Sequence, residues 1–161
     1  MTIRFILNGE DMEITAEANQ RLIDILREHF SLLSSKSGCL HGSCGVCSVI
    51  YNGAVSPSCM IPAFRLQGSE IVTLEGFSQQ NEYRDITAGF TESGVDNCGY
   101  CDAGKILTTE LLLGQSLEPS KEVFTAAFRG IRCRCTDEES LYRGVLAAGE
   151  VRQKRLYGRF K

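Results

Sequence analysis

Ser37-Gly38-Cys39-Leu40-His41-Gly42-Ser43-Cys44-Gly45-Val46-Cys47 is the stretch that decides how the first half of this 161-residue chain folds. Three cysteines fall within nine residues and Cys59 follows twelve residues on, giving C-x4-C-x2-C-x11-C. Glycines at positions 38, 42 and 45 separate them. Glycine tolerates a positive φ and lets main-chain N–H groups approach a ligand closely, so such a loop can wrap an anion in donors. Four more cysteines, Cys98, Cys101, Cys133 and Cys135, read C-x2-C-x31-C-x-C, and the two sets account for all eight in the chain.

The first spacing is that of plant-type ferredoxins, in which four thiolates hold one [2Fe-2S] cluster. The second set has the count for another. Two one-electron centres in one small chain imply electron transfer. A structural zinc site more often shows two short Cys pairs than a triplet with a distant single. A disulfide framework conflicts with the N-terminus, Met1-Thr2-Ile3-Arg4-Phe5-Ile6-Leu7, which reads as a strand and not as an export signal. A thioredoxin-like C-x2-C pair would leave Cys133 and Cys135 without a purpose. His41 sits inside the first loop, but a Rieske centre needs two histidines, and the only other, His29, lies on a predicted helix. His41 is therefore expected beside the site or facing solvent.

Working outward, Thr2 to Leu7 and Met12 to Thr15 read as strands joined by an Asn8-Gly9 turn; Ser48 to Tyr51 and Ala54 to Ser56 read as strands joined by Asn52-Gly53. Residues 21–30 carry Leu22, Ile25, Leu26 and, at the margin, His29 on one helical face, and Ile71 to Leu74 gives a fifth strand. A hairpin, a crossing helix and further strands predict a β-grasp arrangement. Beyond Gly76, residues 83–92, 103–113, 121–128 and 138–148 favour helices, with Ser120 as cap of the third and Thr136 or Asp137 of the fourth. The fold class expected is α+β: a β-grasp ferredoxin domain at 1–77, an all-α four-helix domain at 78–151, and a basic tail at 152–161. Cys101 would lie at a helix N-terminus, where the dipole favours an anionic cluster. An extended Cys133-Arg134-Cys135 would point both sulfurs to one side. Arg132 and Arg134 would offset cluster charge or lie on the surface.

Hydrophobic residues make up 43% and charged residues 23%, as in ordinary globular domains. No apolar run is long enough to span a membrane, and clustered thiols without an export signal point to the cytoplasm. Net charge is -3, with five of the 17 basic residues in the last ten positions, leaving 12 against 20 acidic residues elsewhere. Such a short basic end fits a solvated or partner-docking segment better than a nucleic-acid arm. No catalytic acid, base or nucleophile stands out.

Gly38-Cys39-x4-Cys44-Gly45-x-Cys47, Ser58-Cys59, Leu74-Glu75-Gly76, Cys98-Gly99-Tyr100-Cys101 and Cys133-Arg134-Cys135-Thr136 together resemble the small iron–sulfur subunit of the molybdenum hydroxylases, the xanthine dehydrogenase and aldehyde oxidoreductase family, over residues 1 to about 150. The resemblance implies two [2Fe-2S] clusters on the eight cysteines, a large partner subunit with a molybdenum-pterin cofactor, usually a medium subunit with FAD, and a hetero-oligomer. It places the cluster of Cys98, Cys101, Cys133 and Cys135 near the pterin, with Asn97 and Cys135 as pterin-edge contacts, and the other cluster near the flavin. Three positions depart from the family pattern: Asn97 stands where Gln is usual, Asp102-Ala103-Gly104 where Thr-Pro-Gly is usual, and Asp137-Glu138 where Gly-Tyr is usual. The added acids Asp102 and Asp137 are expected to lower the potential of the second cluster.

Overall fold

The computed structural model describes residues 1–158. Strand β1 (Thr2–Leu7) and strand β2 (Glu10–Thr15) form a hairpin, as do β3 (Ser48–Tyr51) and β4 (Ala54–Pro57). Both turns put an Asn-Gly pair at positive φ, Asn8 at 53° with Gly9 at 85° and Asn52 at 48° with Gly53 at 79°. This is the backbone twist that tight hairpins require. β5 (Glu70–Val72) closes the sheet in the order β2-β1-β5-β3-β4, parallel to β1 and antiparallel to β3.

Alternation along β1 sends Ile3, Phe5 and Leu7 to one face. There they meet Leu22, Ile25 and Leu26 of helix α1 (Leu22–Glu28), with Val49 and Ile71 completing the core. His29 is not on that apolar face. It is the residue that ends α1, and it is exposed. The opposite face of the sheet is also covered, because Ile50, Val55 and Val72 pack against the helical half.

β5 stops before the expected Leu74. The Asn8 side chain accepts the Thr73 N–H at 2.8 Å, which ends the ladder, and the chain winds into a one-turn helix α2 (Leu74–Phe77). Four helices follow: α3 (Asn81–Glu92), α4 (Asp102–Gln115), α5 (Lys121–Phe128) and α6 (Glu138–Tyr157). Ser120 accepts the Val123 N–H at the start of α5, and Asp137, not Thr136, caps α6 by accepting the Ser140 N–H at 2.8 Å. Phe90, Ile106, Leu107, Phe124 and Val145 fill the helical core, where the Phe124 and Phe128 rings stack at 4.6 Å.

α3 and α6 cross so closely that a Cβ on Gly89 would strike the backbone of Ala148. α6 also runs nine residues past its expected end at 148. Residues 152–157, read from the sequence as a tail, are its last turns, while residues 159–161 lie outside the described residues. Arg152 is buried and bonds the carboxylates of Asp85 and Glu110; Arg155 bonds Glu82 and Asp85. The basic run pairs with acids of α3 and α4, so it folds back. Among the described residues, no helix is long and apolar enough to cross a membrane.

Glu75 ties the segment before the cysteine loop to α2, accepting from Ser34 N at 2.7 Å and Ser34 Oγ at 2.5 Å. Partial burial opposes its ionisation, but the two Ser34 bonds prevail and hold its pKa below the ordinary 4.5. The ionised carboxylate therefore stabilises the fold in full above that ordinary value, and its contribution fades as pH falls through the depressed folded value. Thermal denaturation across pH 3–6 should show a Tm that declines with acid in the parent chain and is flatter in Glu75→Gln.

Candidate metal centres

The loop from Gly38 to Cys47 lies between α1 and β3 and has little regular structure. Leu40 (φ 58°), Gly42 (φ 80°) and Gly45 (φ 71°) take left-handed conformations within it. Turns of this kind aim successive N–H groups inward. The Ser43 N–H reaches Cys39 Sγ at 3.2 Å. Donation from the His41 N–H, with Ser43 adding to it, brings the Cys39 thiol down to about 5. Gly38 has no room for a side chain, since a Cβ there would sit 2.9 Å from Cys44 Sγ. His41 turns its ring away from the sulfurs, Nδ1 to Cys39 O at 2.7 Å and Nε2 to Ser43 Oγ at 2.9 Å, and is exposed.

Among the described residues, no three His, Cys, Asp or Glu side chains converge as one metal ion would require. The sulfurs meet two by two. Cys39 pairs with Cys44, and Cys47 with Cys59, the second pair being buried and pushing the Cys59 thiol up to about 11. Cys101 pairs with Cys133, and Cys98 with Cys135. Charge on Cys39 is felt at Cys59, and charge on Cys133 at Cys135, so each half holds two adjacent pairs. A diiron core takes two thiolates on each iron. Two pairs of sulfurs in a cradle of N–H donors are the donor set such a core needs, and the residues fit it.

The second group forms differently. Gly99 (φ 86°) turns the chain so that Cys101 becomes the residue before α4, and its carbonyl accepts the Lys105 N–H at 3.1 Å. Burial pushes the Cys101 thiol up to about 12. Cys133-Arg134-Cys135 is bent, not extended. The N–H groups of Cys135 and Thr136 curl back to Cys133, whose sulfur meets Cys101 while that of Cys135 meets Cys98. Cys98, Asn97, Tyr100 and Cys135 are all exposed, forming an outer rim, while Cys101 is buried. Arg132 and Arg134 are both exposed at the same edge.

Backbone contacts join the two groups. Gly45 approaches α4 so closely that a Cβ on Gly104 would lie 2.5 Å from Gly45 O, and one on Gly45 would lie 2.9 Å from Gly130 O. Across this seam the Arg132 N–H donates to Cys44 O at 3.1 Å. Cys44 belongs to the first group, and Cys133 of the second follows Arg132 directly.

Residues 5–71 match the family described as 2Fe-2S iron-sulfur cluster binding domain, and residues 73–146 the family described as [2Fe-2S] binding domain. The chain is 41% identical to the nicotinate dehydrogenase small FeS subunit of Eubacterium barkeri, over 93% of this chain and 96% of that one. The chain belongs to the iron–sulfur subunits of the molybdenum hydroxylases. To the xanthine dehydrogenase iron-sulfur-binding subunit of Escherichia coli O157:H7 it is 34% identical over 91% of this chain and 92% of that one. A chain of quinoline 2-oxidoreductase from Pseudomonas putida 86 superposes with a TM-score of 0.85 at 31% identity, covering 95% of this chain and 96% of that chain. The expected α+β architecture is thus that of a molybdenum hydroxylase iron–sulfur subunit.

One residue escaped the sequence reading. Lys105 is fully buried in α4, and its Nζ lies 3.3 Å from Asp102 Oδ1 and bonds the Asp96 carbonyl. Within the run Ala103 to Leu113 it looked like an ordinary polar position of an amphipathic helix. Its spacing of three from Asp102 and four from Cys101 was the available signal. The other added acid, Asp137, is spent on the α6 cap, where Ser140 lowers its pKa. A cleft of about 600 Å³ runs along Val55, Leu111, Val123 and Ile131, and no titratable side chain lines it.

Gly104→Val should wedge the cysteine loop off α4. We expect a loss of about 1–3 kcal/mol in chemical denaturation, together with faster amide exchange at Arg132.

Proposed function

We propose that this chain carries electrons between two partner subunits, taking them in at the rim of Cys98 and Cys135 and passing them out beside Cys39 and Cys59. Cys39, Cys44, Cys47 and Cys59 would hold one [2Fe-2S] cluster, and Cys98, Cys101, Cys133 and Cys135 the other. Each cluster, when bound, supplies a store for one electron. The chain's own part is to fix the thiolates, screen their charge with N–H donors, and bridge the two sites. The observation that carries the reading is the Arg132 N–H bond to Cys44 O. It links a sulfur-bearing residue of one group to the neighbour of a sulfur-bearing residue of the other by a few covalent bonds and one hydrogen bond.

The exposed rim supports an intake at the second group. Tyr100 is 53% exposed and Asn97 and Cys135 face solvent beside it, a surface fit to meet the molybdenum-pterin cofactor of a large partner. At the first group Met60 and Leu40 are exposed apolar neighbours of Cys59 and Cys39, suited to an FAD-bearing partner. A hetero-oligomer follows, with residues 1–77 and 78–151 as its two cluster-binding domains. Eight free thiols fit a reducing compartment such as the cytoplasm. Substrate chemistry belongs to the large partner. The relatives named for nicotinate and quinoline make heteroaromatic rings containing nitrogen the first class to test.

Anaerobically isolated protein should be red-brown with about four irons and about four labile sulfides per chain. Reduced protein should give two EPR signals, and Cys44→Ser should abolish one and spare the other. A colourless, iron-free chain would overturn the reading. A second test addresses the bridge. Arg132→Pro removes the N–H donor, so both signals should persist while electron transfer between them, followed by rapid freeze-quench after reduction, slows about tenfold.

A further inference from the structure

We infer that the Lys105 ammonium, sealed from water one helical turn from Cys101, sets the potential of the cluster held by the second group of cysteines. The inference rests on the reading of that group as a [2Fe-2S] site. A lysine with no exposed surface is rare, and burying its charge is costly unless other groups compensate it. Here the compensation comes from the loop that carries the cysteines. The Asp96 carbonyl, two residues before Cys98, accepts from Nζ, and the Asp102 carboxylate, next to Cys101, lies 3.3 Å away. Asp102 is itself anchored, accepting the Gly99 N–H at 3.0 Å through Oδ2, while its buried Oδ1 has no hydrogen bond of good geometry. The ammonium is therefore Oδ1's one close cation among the described residues.

Residues four apart share a helix face, and Lys105 donates its backbone N–H to Cys101 O. Taking up an electron makes a thiolate-bound cluster more negative. A fixed cation in a poorly screened interior stabilises that form over the oxidised one, which raises the midpoint. Asp102 tempers the effect, so the acid that departs from the family pattern and the buried lysine work against each other within one pair.

A purely structural lysine, pinning the Asp96 loop to α4, would leave the midpoint alone once its hydrogen bond was replaced. The test is an anaerobic redox titration of the full chain with dithionite and mediators, followed by EPR. In Lys105→Gln, which keeps a donor for Asp96 O, the reduced-to-oxidised ratio of the second signal should fall about tenfold at the parent midpoint, or ~59 mV for one electron. The first signal should titrate as before. Asp102→Asn, which unmasks the ammonium and keeps the Gly99 bond, should move the second midpoint the other way. If Lys105→Gln and Asp102→Asn both titrate like the parent, or move both signals together, the role of Lys105 falls. Should Lys105→Gln lose the second signal, the double variant Lys105→Gln/Asp102→Asn is compared with Asp102→Asn: a second midpoint ~59 mV lower in the double variant upholds the inference, and equal midpoints overturn it. A parent chain lacking the second signal and half the iron would overturn the cluster reading itself.

Discussion

Both cysteine segments depend on main-chain N–H groups, which reach sulfur within the first group and the Cys44 carbonyl across one seam. The cysteine loop of the sheet half lies directly on α4, and Gly45 and Gly104 keep side chains out of the contact. Without that closeness the Arg132 N–H could not reach Cys44 O. The same seam explains why the far face of the sheet is apolar: Ile50, Val55 and Val72 bury themselves against the helices. Packing of the two halves and the hydrogen bond between the two cysteine segments are thus one structural feature.

The two groups solve the same electrostatic problem with different backbones. The first winds a loop through left-handed residues so that amides surround Cys39, with a buried pair, Cys47 and Cys59, beneath. The second places Cys101 at the head of α4 and bends residues 133–136 around Cys133. In both, one pair of sulfurs is more sheltered and the other lies nearer solvent.

Local chemistry was legible in the sequence. Asn8-Gly9 and Asn52-Gly53 announced both hairpins because their turns need positive φ, and Ser120 announced a cap because its hydroxyl serves its own neighbours. What failed to show depended on distant partners. Leu74 continued a strand pattern, yet Asn8, sixty-five residues before Thr73, takes the Thr73 N–H and ends the strand. The basic run after Val151 resembled a solvated tail because its acids, Glu82, Asp85 and Glu110, lie on other helices. Cys133-Arg134-Cys135 read as an extended segment but is bent, since alternation in an extended strand says nothing about amides folding back on a sulfur.

Charge near the second group depends on where each residue lies in the fold. Two acids absent from the family pattern suggested a more negative surrounding. In the fold, Asp137 serves the N-terminus of α6 and Asp102 faces a buried ammonium. A charge matters to a redox site through its distance and its screening, and Lys105, with no solvent around it, has the least screening of the three. Its position on α4 follows from Cys101 starting that helix, so the residue that delivers the sulfur also places the cation. One helix start therefore fixes both the thiolate and the field in which it sits.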